Sequence, residues 1–65
     1  MKVRVNRQAI ELPPTATLAE VLVQIDARAP YAVAVNLQFV PRTRYAEVAL
    51  LEGDEIEVIT PVTGG

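Results

Sequence analysis

The sequence predicts an α+β domain, a mixed four- to five-stranded sheet with one helix packed on one face. Three observations predict it. Apolar and polar residues alternate with the period of a strand near both ends, over residues 3–12 and 55–60. One stretch between them, residues 17–25, carries apolar residues at the spacing of an amphipathic helix. Proline, asparagine and glycine divide the remainder into short extended runs and turns. With 65 residues there is room for one domain, and a domain of that size buries only about 60% of its unfolded surface.

Each element has its own warrant. Val3 and Val5 oppose Lys2 and Arg4, and Ile10 and Leu12 oppose Ala9 and Glu11. Asn6-Arg7 between them suits a hairpin turn, because asparagine tolerates left-handed backbone angles. Pro13-Pro14 ends the second strand. Thr17 is the expected helix cap, its hydroxyl accepting from the Glu20 N–H while Glu20 reaches back to the Thr17 N–H. Leu18, Val21, Leu22 and Ile25 form the apolar stripe, and Pro30 is the expected barrier to a longer helix. Residues 31–35 are continuously apolar, which fits either an inner strand covered on both sides or a strand with an exposed apolar outer face. Asn36-Leu37-Gln38 reads as a turn, Phe39-Val40 as a brief strand ended by Pro41, and residues 42–46 as an irregular crossover or a single helical turn. Val48, Ala49, Leu50 and Leu51 are expected to pin that crossover to the core. Gly53 supplies the left-handed position of the turn at residues 52–54. In the last strand Ile56 and Val58 alternate with Glu55 and Glu57.

The first and last strands most simply lie side by side at the sheet centre, running parallel because the chain crosses between them through the helix and second hairpin. This is the β-grasp (ubiquitin-like) arrangement. A single helix covers one sheet face. On the open face Val33 or Ala34, Phe39 and Ile59 are expected to project, Ile59 having the opposite parity from Ile56 and Val58. With Val62 of the tail they form a candidate partner surface; scattered apolar residues without a role are the competing explanation.

Composition excludes several chemistries. The hydrophobic content of 51% and charged content of 22% are those of a folded chain. Histidine and cysteine are both absent. A histidine base, a catalytic triad, a disulfide and a thiolate or imidazole metal site are therefore not available, and no metal site is expected. A formal net charge of −2 argues against nucleic-acid binding. No apolar run approaches the roughly 20 residues needed to span a bilayer. No secretory signal is visible, and a cytoplasmic location is expected.

The remaining candidate is the tail. Residues 1–60 read as the β-grasp domain and residues 61–65 as an extended C-terminal segment ending Thr63-Gly64-Gly65. Pro61 ends ladder pairing, since it has no N–H to donate. Five extended residues reach roughly 17 Å. That exceeds the radius of gyration of about 11 Å expected for a chain this short. Gly64 and Thr63 suit passage through a narrow channel, glycine because it lacks a Cβ. The Gly65 carboxylate then enters a pocket on another protein, with no side chain beside it to hinder attack. Terminal glycines also describe a frayed end, but the strand leading into them favours the functional reading.

Three features taken together, the run Ala32 to Arg42 (AVAVNLQFVPR), Gly53-Asp54 opening the last strand and the Gly64-Gly65 end, resemble the ThiS family of small sulfur-carrier proteins of thiamin (thiazole) biosynthesis. The helix opening TLAEVL, Thr17 to Leu22, is also similar, and the likeness spans the whole chain. Pro61 in the tail PVTGG departs from the pattern and stiffens the exit from the sheet. The resemblance implies a carrier, a protein co-substrate and not an enzyme. A ubiquitin-activating-type (ThiF-like) partner adenylates Gly65 with ATP and its metal, a sulfur donor protein converts the carboxylate to a thiocarboxylate, and a thiazole synthase (ThiG-like) takes the sulfur. The chain itself, lacking a glycine-rich phosphate loop, is expected to bind no cofactor. Glu55 and Glu57 are expected to be solvated charge or contacts to a basic partner. The alternatives are the small subunit of molybdopterin synthase, a ubiquitin-like protein modifier and a regulatory β-grasp binding module.

Overall fold

The structure is a computed structural model and describes residues 1–60. The predicted tail residues 61–65 lie outside the described residues. The elements are β1 (Lys2–Val5), β2 (Gln8–Glu11), α1 (Leu18–Gln24), β3 (Ala32–Val35), β4 (Gln38–Val40), a 3-10 turn (Arg42–Arg44) and β5 (Glu55–Ile59). The strands form one mixed sheet in the order β2-β1-β5-β3-β4. β5 is central, parallel to β1 on one side and antiparallel to β3 on the other. This is the β-grasp fold the sequence predicts, with all five strands present.

Strand parity builds the core. Val3, Val5, Val33 and Ile56 face α1 and are buried with Leu18, Val21 and Leu22 of its stripe. Ile25, the C-cap, is only half-buried at the rim. Of the two candidates on β3, Val33 points into this core, so Ala34 occupies the open face.

The helix is held by the segment that follows the second hairpin. An isolated bridge joins Thr17 to Ala49. The Leu18 N–H donates to the Val48 carbonyl at 3.0 Å, and the Ala19 N–H to the Tyr45 carbonyl at 3.0 Å. The Glu20 N–H reaches the Thr17 Oγ1 at 3.4 Å. The first three orphan donors of the helix are thereby satisfied. The expected return bond from the Glu20 side chain is not among the described hydrogen bonds, and the Thr17–Ala49 bridge fixes the cap from the other side instead.

The helix also stops earlier than Pro30 requires. Asp26 takes a left-handed φ of 56°. The Ala27 N–H donates to the Leu22 carbonyl at 2.9 Å and the Asp26 N–H to the Val23 carbonyl at 3.1 Å. That pair of bonds is a Schellman motif, with aspartate where glycine is usual.

Both hairpins close through two left-handed residues, Asn6-Arg7 with φ of 49° and 72°, and Asn36-Leu37 with φ of 50° and 69°. Positive φ at both central residues defines the type I′ turn, whose twist matches that of paired strands. Gln38, expected in the second turn, is already in β4. Leu50 is buried as expected, but Leu51 is 69% exposed. Its N–H is tied at 2.8 Å to the Asp54 Oδ2, so the backbone belongs to the turn before β5 and the side chain points outward. Gly53 has the predicted left-handed φ, 85°. A Cβ there would meet nothing within 4 Å, so the backbone angle and not crowding calls for glycine.

Candidate functional site

β5 ends at Ile59, and residues 57–60 form the described base from which the predicted tail leaves. The four candidate tail residues, Val62, Thr63, Gly64 and Gly65, lie outside the described residues. The two other candidates, Phe39 and Ile59, are placed on the open sheet face as predicted, 70% and 56% exposed.

Register explains how they meet. Phe39 on β4 faces Ala34 on β3, and Ala34 faces Glu57 on β5. Ala32 faces Ile59 in the next row on the same face. Neighbouring strands are about 4.8 Å apart. Ala34 and Ala32 lie between Phe39 and Ile59, so the four form an apolar stretch of the open face, and Ile59 belongs to the described base of the tail. The β1 side of the same face is polar. Arg4 Nη1 lies 3.3 Å from Glu55 Oε1, and a cleft of about 390 Å³ is lined by Arg4, Asn6, Arg7, Glu55, Ile56 and Glu57. Glu55 thus has a partner within its own chain. Both members are well exposed, so the pair contributes little to stability, about 0–1 kcal/mol.

Sequence reasoning missed two residues that hold β5 in place. In the sequence Asn6 suits only a turn, yet its side chain reaches the far end of β5. Its Oδ1 accepts from the Val58 N–H at 2.9 Å, and its Nδ2 donates to the Val58 carbonyl at 3.2 Å. Asn36 does the corresponding work at the start of the strand. Its Oδ1 accepts from the Glu55 N–H at 3.0 Å, and its Nδ2 donates to Asp54 Oδ1 at 3.0 Å. The available signal was chemical: a carboxamide carries the same donor and acceptor as a peptide group, so an asparagine at a strand end can complete a neighbouring ladder.

Among the described residues no three or more His, Cys, Asp or Glu side chains are grouped to hold a metal ion. No helix among them is long and apolar enough to cross a membrane. One titratable group stands out. Burial pushes the Tyr45 phenol above its ordinary pKa, nearby Tyr31 adds to the shift, and Arg42 opposes it. The two tyrosine rings stack with centroids 6.1 Å apart, on the helix side of the sheet.

A sequence model of the ThiS family matches residues 3–65. The chain belongs to the ThiS family. It is 36% identical over 66 residues to the sulfur carrier protein ThiS of Escherichia coli K12, with all of both chains covered. It is 33% identical over 67 residues to a thiazole synthase of Paramagnetospirillum magneticum, covering all of this chain but only 20% of that one. Among solved structures, a thiamine biosynthesis protein (ThiS) of Geobacter metallireducens superposes with a TM-score of 0.83 over the full length of both chains at 19% identity. At that identity the likeness supports the fold alone.

Proposed function

We propose that this protein is the sulfur carrier of thiazole formation in thiamin biosynthesis, working as a protein co-substrate and not as an enzyme. Membership of the ThiS family over residues 3–65 is the observation that carries this reading. The structure adds a physical rationale. The central strand β5 runs directly towards the tail, so the segment that would be threaded starts from the best-anchored strand of the sheet. The chain has no histidine or cysteine of its own to carry sulfur, and the family resemblance implies Gly65 as the position that is activated.

In this mechanism the Gly65 carboxylate attacks the α-phosphorus of ATP on an activating enzyme of the ubiquitin-activating type, and pyrophosphate leaves. The acyl adenylate makes the carbonyl electrophilic. Sulfide (HS⁻) released by a donor protein attacks it, AMP leaves with the proton passing to solvent, and a thiocarboxylate remains. Gly64 and Thr63 pass through the enzyme's channel. ATP and its metal belong to the activating enzyme. Thiazole synthase then receives the sulfur. The relative named thiazole synthase, of which this chain matches one fifth, supports that last partnership, because it carries a segment of this kind within its own longer chain. The open-face residues Phe39, Ala34, Ala32 and Ile59 are the described surface we assign to partner docking, and Val62 is the tail residue we assign to the same contact.

The test is intact-mass spectrometry after incubation with ATP, the activating enzyme and a sulfur donor. The expected product is heavier by the difference between one sulfur and one oxygen, and the increment maps to Gly65. An unchanged mass, where a control carrier converts fully, overturns the proposal.

A further inference from the structure

The geometry points to Asn6 as a positioning residue for presentation of the tail. This inference rests on the carrier reading above. The parallel ladder between β1 and β5 runs through the Arg4 N–H to the Asp54 carbonyl at 3.0 Å and the Asn6 N–H to the Ile56 carbonyl at 2.9 Å. Continued by the same step, its next donor would be the N–H of residue 8, bonded to the Val58 carbonyl. It would also pair the Val58 N–H with the main-chain carbonyl of residue 6.

The chain does not continue that way. Asn6 and Arg7 turn it into β2 with φ of 49° and 72°. The Asn6 carboxamide takes over both bonds, Oδ1 accepting from the Val58 N–H and Nδ2 donating to the Val58 carbonyl. It stands where the next peptide unit of β1 would have stood. β5 is thereby paired on its β1 side one step beyond the end of β1. On the other side, β3 pairs it through Ile59. The last residues of β5 are held from both flanks, and the direction in which the chain leaves the sheet is set at Val58–Ile59.

The bonds matter for function more than for stability because of where they are. Both are solvent-exposed. Water replaces them when they are lost, and their net contribution to folding is correspondingly small. Without them the base of the tail gains conformational freedom, which must be removed again whenever a partner threads the terminus. That loss appears in KM for the carrier protein and not in kcat, since the reacting carboxylate is unchanged.

Two variants separate the clamp from the turn. Asn6→Gly keeps the left-handed turn, which glycine adopts freely, and removes both bonds. Asn6→Asp also tolerates the turn but retains only the acceptor. ATP–pyrophosphate exchange with the activating enzyme is measured against carrier concentration, and amide hydrogen exchange is followed by NMR. Asn6→Gly is expected to raise KM roughly tenfold at unchanged kcat, the cost of re-ordering about one residue. Asn6→Asp is expected to fall between it and the parent. The Val58 amide exchanges faster in Asn6→Gly, while the residue 6 amide, still bonded to the Ile56 carbonyl, keeps its protection. Unaltered KM in a variant whose Val58 amide has lost protection overturns the inference. So does a fall in kcat alone. If Asn6→Gly loses protection throughout, Asn6→Asp decides by the same two readouts. A parent chain that supports no exchange at all defeats the carrier reading instead, and the Val58 amide still reports whether the clamp exists.

Discussion

Ile56 and Ile59 are the same side chain on the same strand, three residues apart, and they occupy opposite faces of the sheet. Ile56 is 1% exposed beneath α1, whereas Ile59 is 56% exposed beside Ala32. The period of two in a strand separates them. The helix-covered face is built for cohesion, with Val3, Val33, Leu18 and Val21 each almost wholly excluded from water. The open face carries few large apolar groups, Phe39 on β4 and Ile59 on β5, with Ala34 and Ala32 of β3 between them. In a domain too small for two cores, one face must hold the fold while the other is free to meet partners.

The largest effect that separates these roles comes from truncating each isoleucine. Ile56→Ala removes a fully buried side chain and is expected to cost about 2–5 kcal/mol. A domain of this size has a total stability of roughly 3–10 kcal/mol, so the variant loses a large share of it. Ile59→Ala is expected to cost less than about 1 kcal/mol, because most of its surface is already wet. Urea denaturation followed by circular dichroism measures both. Equal costs would mean that the open face contributes to folding as much as the covered one.

Much of this division was legible in the sequence, and the exceptions have physical causes. Alternation places Ile56, Val3 and Ile59 on their correct faces because a strand with one wet face leaves a clean period. It could not decide between Val33 and Ala34, since residues 31–35 are all apolar and carry no alternation to read. The helix start was legible from Thr17, but its end was not. Aspartate at the left-handed stop carries a weaker signal than glycine, so Pro30 looked like the terminator when Asp26 had already acted. Leu51 reads as inward on hydrophobicity alone, which says nothing about a residue whose backbone is committed to a turn. At the site, Ile59 is legible as parity, and Phe39 only as an apolar residue of a brief strand. The Asn6 and Asn36 bonds are not legible, because they join residues 52 and 19 positions apart.

A second, smaller effect sharpens the comparison on the open face. Phe39→Asp places a charge on the edge strand β4, beside Ala34. The folded state is expected to lose less than about 1 kcal/mol, since the ring is mostly exposed and aspartate is merely a poor strand residue. Binding to the activating enzyme or to thiazole synthase is expected to weaken roughly thirtyfold, the effect of about 2 kcal/mol at a hot-spot aromatic. Isothermal titration calorimetry with each partner, beside thermal melts, gives both numbers. Unaltered affinity for both partners would remove this face from the docking surface, and a large loss of stability would erase the contrast with Ile56.

The smallest expected effect tests the covered face from its rim. Tyr45 is 8% exposed and packs against the core. Burial is the leading cause of its raised pKa, the neighbouring Tyr31 adds to it, and Arg42 pulls the other way. The sign of the linkage follows. In the unfolded chain the phenol loses its proton near the ordinary value of about 10. In the folded chain it holds the proton to higher pH. Between those two values the folded state binds more protons than the unfolded one, so stability falls as pH rises. Below about pH 10 both states are protonated and Tyr45 contributes no pH dependence. The opposition from Arg42 keeps the slope shallow. Urea midpoints measured from pH 8 to pH 11 should therefore decline more steeply for the parent chain than for Tyr45→Phe, whose ring keeps the packing and cannot ionise. Parallel declines would assign the alkaline loss to other groups and leave the covered face without a titratable residue that senses folding.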